Sequence, residues 1–222
     1  MRKIEFANEE YYHIFNRGVD KREIFLSAQE YERFILAMQL LNDKEDGLMI
    51  KWRDYKKANS GANLEAFLKR SFRKRESLVE IIAYCLNPNH YHFILKQTED
   101  NGIERFMHKI GTSYTKYFNK KNKRSGVLFQ GVFKSVHIDS NEYLLYLSAY
   151  VNKNNFIHGY NKNNNWQYSS LSDYLDKEKI GFVNRNAVLG QFKNIKEYKE
   201  YLKNNALHMK EKKEMEEYLI EE

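Results

Sequence analysis

Leu78-Val79-Glu80-Ile81-Ile82-Ala83-Tyr84 and His90-Tyr91-His92-Phe93-Ile94-Leu95-Lys96 are two β-prone runs, and Asn87-Pro88-Asn89 lies between them. Proline presets one turn dihedral and asparagine tolerates the tight conformations a turn needs, so the stretch reads as a β-hairpin. Pro88 is the only proline in the chain, which makes this turn the best hairpin signal available. Alternate side chains of a strand share a face. His90 and His92 therefore point the same way and Tyr91 the other.

Working outward, Tyr11-Tyr12-His13-Ile14-Phe15-Asn16-Arg17-Gly18 is aromatic and β-branched and ends in glycine, a first strand. Ser27 with Glu30 predicts a capping box, after which Tyr31, Phe34, Ile35, Met38 and Leu41 recur at helical spacing. Residues 42–76 form a basic excursion broken by Gly47, Asn59, Ser60, Gly61 and Asn63, with only Leu64 to Arg75 reading as helix. Beyond the hairpin, Asn101 with Glu104 predicts a second capped helix carrying Ile103, Phe106, Met107, Ile110, Tyr114 and Tyr117 on one face. Leu128 to Ile138 reads as a strand bent at Gly131, and Ser140 as the cap of a third helix reaching about Asn154. This order of elements predicts an α+β fold, an antiparallel sheet covered by helices. Past Phe156 the composition shifts to Asn and Lys. Trp166 to Tyr174 and a charged helix from Lys196 to Glu222 then form a C-terminal helical appendage.

The chain has 222 residues, enough for one well-buried domain of about 150 residues and an appended piece of roughly 60. No apolar run approaches the ~20 residues of a membrane span and the first residues lack a secretory pattern, so the expected location is cytoplasmic, without a membrane partner. Cys85 is the only cysteine, which excludes an intrachain disulfide and a cysteine-rich zinc site. Any metal must lean on His, Asp, Glu, Asn or Gln. A net charge of +7 favours a polyanionic partner, and the basic residues cluster between Lys51 and Glu76 with Tyr55, Phe67 and Phe72 among them.

Neutral imidazole is the commonest metal ligand, and two imidazoles on one strand face suit a divalent cation. Taken alone, His-x-His reads first as two partly exposed histidines beside a turn, and something else must favour the metal. Tyr150 and Asn154 stand four apart, stacked on one helix face, where a phenol and an amide reach one site. Tyr143 and Tyr146 share nearly the same stripe, so an aromatic packing stripe is the competing reading. Of the three tyrosines only Tyr150 has a carboxamide one turn beyond it. His13, His137 and His158 lack such pairing and read as structural or surface residues.

Four ordered motifs resemble the single-tyrosine HUH transposases of bacterial insertion sequences and their REP-associated relatives. They are Tyr12 to Gly18, Ala83 to His92, Leu128 to Ser135 (with its Phe129-Gln130-Gly131), and Tyr146 to Asn154, together spanning about residues 8–158. The resemblance implies a ferredoxin-like (RRM-like) HUH fold in a domain of residues 1–158, with residues 159–222 as the appendage. It implies His90, His92 and Asn154 as metal ligands, where many relatives carry Gln at the last, and Tyr150 as the nucleophile. Mg²⁺ or Mn²⁺ is the implied cation, whereas ligand type alone allows Zn²⁺ or Fe²⁺ equally. The implied reaction cleaves single-stranded DNA at a hairpin, leaving a 5′-phosphotyrosine and a free 3′-OH. Arg17, Lys21, Arg22, Lys116, Lys120, Lys121 and the excursion are the expected DNA contacts. Monomer and homodimer stay open. Relatives commonly have Asn-Pro where this chain has Asn154-Asn155, and the excursion is longer than the family pattern, which leaves the helix end and the DNA target open. Two rivals remain: a replication initiator or relaxase using the same residues, and a non-catalytic hairpin-binding relative that keeps the fold.

Overall fold

The computed structural model describes residues 5–70, 76–160, 166–176 and 181–220, with the side chains of residues 70 and 216–220 left aside. Strands β1 (Tyr11–Arg17), β2 (Val79–Asn87), β3 (His90–Gln97) and β4 (Lys134–Ile138) form one antiparallel sheet in the order β2-β3-β1-β4. The helices are α1 (Ala28–Leu41), α2 (Leu48–Ala58), α3 (Leu64–Arg70), α4 (Gly102–Lys121), α5 (Asn141–Asn152), α6 (Asn154–Ile157), α7 (Leu171–Leu175), α8 (Asn186–Leu189) and α9 (Ile195–Ile220). The α+β sheet-and-helix architecture agrees with the expectation from sequence.

Strand alternation divides the apolar residues between two cores. Tyr12, Ile14, Tyr91, Phe93 and Leu95 face α1 and α4, meeting Tyr31, Phe34, Phe106, Ile110 and Tyr114. Ala83, Cys85 and Ile94 face the other way and pack with Leu144, Leu147 and Val151 of α5 and with Tyr174, Tyr198 and Leu202 of the C-terminal segment. Burying a large side chain of this kind contributes about 1.5–3 kcal/mol, so both layers matter to stability. The C-terminal segment is tied to the sheet by polar contacts as well. Leu86 N donates to Tyr168 O (2.9 Å), Ser170 N to Tyr84 O (2.9 Å) and Trp166 Nε1 to Leu86 O (2.8 Å), which lays residues 166–170 along the outer edge of β2. Asn152, the last residue of α5, joins this frame through Tyr198 Oη (2.9 Å) and Ser170 Oγ (2.6 Å).

The Ser27–Glu30 capping box is present, and Glu30 is fully buried, accepting from Ser27 N and Asn122 and pairing with Lys121. Four local expectations differ from the structure, and a fifth falls partly outside the described residues. The excursion contains an unexpected helix, α2, because Leu48 and Trp52, one turn apart, bury with Leu40 and Phe67 as a satellite core; the glycine and asparagine breakers only bracket it. The helix expected over Leu64 to Arg75 is described to Arg70, and residues 71–75 lie outside the described residues. Asn101 does not cap α4 with its side chain: it sits in the left-handed region (φ 58°), and Gln97 Oε1 accepts from Ile103 N instead (3.2 Å). The strand expected over 128–138 is confined to Lys134–Ile138, since Gly131 turns at φ 68° and Gln130 N donates to Arg17 O (2.8 Å). Finally, α5 stops at Asn152 and Lys153 (φ −112°, ψ 10°) separates it from α6, which begins at Asn154.

Candidate metal and nucleophile site

Register brings the site together. In the central strands His92 lies between Phe15 of β1 and Cys85 of β2, and His90 lies between Arg17 and Asn87. The two-residue turn Pro88-Asn89 places Asn87 directly across from His90. On the α5 side of the sheet, the rings of His90 and His92 stand edge to face with centroids 5.1 Å apart. Tyr150 meets His92 edge to face at 5.4 Å, while Tyr146 is 39% exposed. The interruption at Lys153 is mild: Lys153 N still donates to Ala149 O (3.1 Å), so Asn154 remains one turn beyond Tyr150.

Asn154 is fully buried, and its Oδ1 lies 3.1 Å from His90 Nε2. On the far side of the ring, His90 Nδ1 lies 2.6 Å from Asn89 Oδ1, an acceptor that holds the proton on Nδ1 and leaves Nε2 a lone pair. Two lone-pair atoms therefore face each other, with the Asn87 Nδ2 amide donating between them, 2.6 Å from Asn154 Oδ1 and 2.9 Å from His90 Nε2. His92 Nδ1 is engaged by His13 Nε2 at 2.9 Å, which leaves His92 Nε2 as the ring nitrogen available for a ligand. His158 stands against the other side of His90, centroids 5.3 Å apart.

Electrostatics keep these imidazoles neutral. Burial lowers His13 to about 4. His92 falls well below the ordinary histidine value through burial and the neighbouring histidines, and His90 falls through burial and the Arg17 charge, opposed by Asn154. A neutral imidazole keeps the lone pair that coordination requires. Burial pushes the Tyr150 phenol above its usual value, and the Asn154 side chain opposes that shift by favouring the phenolate.

The donor set fits a small divalent cation. Ligand bonds of about 2.1 Å at right angles put neighbouring donor atoms about 3 Å apart, close to the 3.1 Å between His90 Nε2 and Asn154 Oδ1. Among the described residues no three His, Cys, Asp or Glu side chains come together as a metal site, so a cation here draws on carboxamides as well as imidazoles. A cavity of about 1010 Å³ between α4 and residues 129–136 is lined by none of His90, His92, Tyr150 and Asn154.

The expected DNA contacts divide into two groups. Arg17, Lys21 and Arg22 are exposed beside the histidine turn, where Gly18 N donates to Asn89 O (2.8 Å) and Asn89 Nδ2 to Lys21 O (3.3 Å). Arg17 Nε also donates to Gln130 Oε1, and Asn16 Nδ2 to Gly131 O (3.2 Å), so the Asn-Arg-Gly and Phe-Gln-Gly motifs are one structural unit. Gly18 is required there, because a Cβ would lie 2.2 Å from Arg22 O. Lys116, Lys120 and Lys121 lie on α4, which packs on the opposite sheet face, and Lys121 is held by Ser27 Oγ (2.9 Å) and Glu30 (3.2 Å). Sequence reading missed His13, Asn87, Asn89 and His158, whose signal lies in cross-strand register and in the turn after α6. His137 pairs with Glu10 at the surface (2.9 Å), as its isolated reading implied.

This arrangement sets a His-x-His strand against a tyrosine-bearing helix on one face of an antiparallel sheet. Residues 53–154 match the family model "Transposase IS200 like", so this part of the chain is similar to that transposase family. A solved structure described as a REP-associated tyrosine transposase bound to a REP hairpin shares the fold, with a TM-score of 0.51 and 14% identity over 82% of this chain and 88% of that one. No curated protein sequence matches the chain. Among the described residues no helix is long and apolar enough to cross a membrane.

Proposed function

We propose that this protein cleaves and rejoins single-stranded DNA at a hairpin through a covalent bond to Tyr150. The observation that carries the reading is the convergence of Tyr150, His90, His92 and Asn154 on one sheet face, with Tyr150 packed on His92. His90, His92 and Asn154 would hold Mg²⁺ or Mn²⁺, which when bound favours the phenolate and offsets charge gathering on the phosphate oxygens. A free tyrosine with pKa about 10 is only about 0.1% ionised at neutral pH, and burial pushes Tyr150 further from ionisation.

The Tyr150 oxygen attacks the phosphorus in line, the P–O3′ bond breaks, and the 3′ oxygen leaves to take up a proton. The 5′ side stays on the enzyme as a phosphotyrosine. Phenolate leaves phosphorus more readily than an alkoxide, so a 3′-OH from the same or another strand attacks that phosphorus, the bond to the Tyr150 oxygen breaks, and the released phenolate takes up the proton the hydroxyl gives up. The number of phosphodiester bonds is conserved and no nucleotide cofactor is consumed. Asn154 orients the phenol, and His13 fixes the His92 ring. Arg17, Lys21 and Arg22 bind the phosphates entering beside the histidine turn, with Lys116 and Lys120 as more distant contacts.

Incubation of a labelled hairpin oligonucleotide with protein and Mn²⁺ gives a denaturation-resistant protein–DNA adduct. Tyr150→Phe abolishes it, and Tyr146→Phe leaves it intact. Undiminished cleavage after His90→Ala with His92→Ala would remove the metal reading. Binding without cleavage across many hairpins would favour a non-catalytic role.

A further inference from the structure

We infer that Asn87 is a further protein ligand of the same metal, bound through its carboxamide oxygen; this rests on the site reading above. Three terminal side-chain atoms form a compact triangle. Asn87 Nδ2 lies 2.6 Å from Asn154 Oδ1 and 2.9 Å from His90 Nε2, and these two lie 3.1 Å from each other. The three edges approximate one face of an octahedron whose bonds are about 2.1 Å, for which each edge is about 3 Å. A cation seated over that face needs a lone pair from every corner. His90 Nε2 and Asn154 Oδ1 already offer one, and the third corner is an amide group, whose two ends have nearly the same shape.

Without a cation the nitrogen end of Asn87 belongs at that corner, because its N–H groups satisfy two facing lone pairs that burial would otherwise leave unpaired. With a cation the preference reverses: an N–H aimed at positive charge is repelled, and the carbonyl oxygen is the hard donor that Mg²⁺ and Mn²⁺ favour. Turning the amide costs little on its other side. There the only hydrogen-bond partner of Asn87 Oδ1 among the described residues is the Cys85 thiol, at 3.6 Å. That thiol is pushed up to about 12 by burial and stays protonated, and its sulfur accepts weakly from an N–H as readily as it donates to an oxygen. Asn87 is fully buried, and its amide is held among polar atoms of His90, Asn154 and Cys85. The strand register places it across from His90.

The test is Mn²⁺ binding by the full chain, followed by calorimetry, together with ¹⁷O-water relaxation, which counts water molecules on the bound ion. Asn87→Leu should weaken Mn²⁺ binding about tenfold or more and add one bound water, because water replaces the lost ligand. Asn87→Asp should bind Mn²⁺ more tightly than the native protein with the native water count. Should Asn87→Leu fail to fold, Asn87→Ser, too short to reach the ion, carries the same two expectations. Native affinity or a native water count in Asn87→Leu or Asn87→Ser overturns the assignment. Absence of Mn²⁺ binding by the native chain instead overturns the metal site as a whole, so the two failures are distinguishable.

Discussion

Lowering the pH should destabilise the metal-free protein through the histidines that line its site, and His13 allows the size of the effect to be worked out. Burial lowers His13 from an ordinary 6.5 to about 4. Below pH 6.5 the unfolded chain takes up a proton there that the folded protein refuses, so the unfolded state binds more protons and stability falls with pH. Each unit of pKa difference is worth about 1.4 kcal/mol, and the difference of about two and a half units amounts to about 3 kcal/mol, most of it lost by pH 4.5. Above pH 7 the contribution is fully retained. The assay is urea unfolding in EDTA at pH 7.5, 6.0 and 4.5, with His13→Gln as the control; glutamine keeps a polar group against His92 but does not titrate. The native chain should lose about 2–3 kcal/mol more than His13→Gln between the extremes. Equal losses in the two proteins would show that His13 is not the buried neutral base the structure describes, and would weaken its role in holding His92.

Two further outcomes follow from the unit formed by residues 16–18 and 129–131. Gly18→Ala places a Cβ 2.2 Å from Arg22 O and 2.9 Å from Arg22 Cγ, so the urea midpoint should fall by an amount corresponding to about 1–3 kcal/mol; an unchanged midpoint contradicts the close approach. Arg17→Ala should weaken binding of a DNA hairpin and reduce the slope of log affinity against log salt by about 1, the signature of one lost phosphate contact; an unchanged slope in a titration over salt concentration removes Arg17 from the DNA path.

The parts of the fold governed by local rules were legible in the sequence. The Ser27–Glu30 capping box, the Asn87-Pro88-Asn89 turn and the alternation that separates His90 and His92 from Tyr91 all depend on residues within a few positions of one another. The spacing of Tyr150 and Asn154 was legible for the same reason, although the helix between them ends at Asn152; the interruption at Lys153 is a backbone detail without a strong side-chain signal. Helix α2 was hidden because its apolar positions, Leu48 and Trp52, are few and bury against a small satellite core rather than the sheet. The shortened β4 reflects hydrogen bonds from Asn16 and Gln130 that no local pattern encodes. His13 and Asn87 escaped notice on similar grounds. Their roles come from the pairing of β1 with β3 and of β2 with β3: Asn87 stands opposite His90 and His13 diagonal to His92, neighbours recognisable only once that register is known.

Tyr150 is the residue proposed to form the covalent bond to DNA. The most direct test is mass spectrometry of the protein recovered after reaction with a hairpin oligonucleotide and Mn²⁺, trimmed by nuclease and digested with trypsin. A nucleotide phosphate mass should appear on the peptide containing Tyr150, with fragmentation placing it on that residue. The same mass on Tyr146, or a cleaved hairpin with no modified tyrosine, would contradict that role.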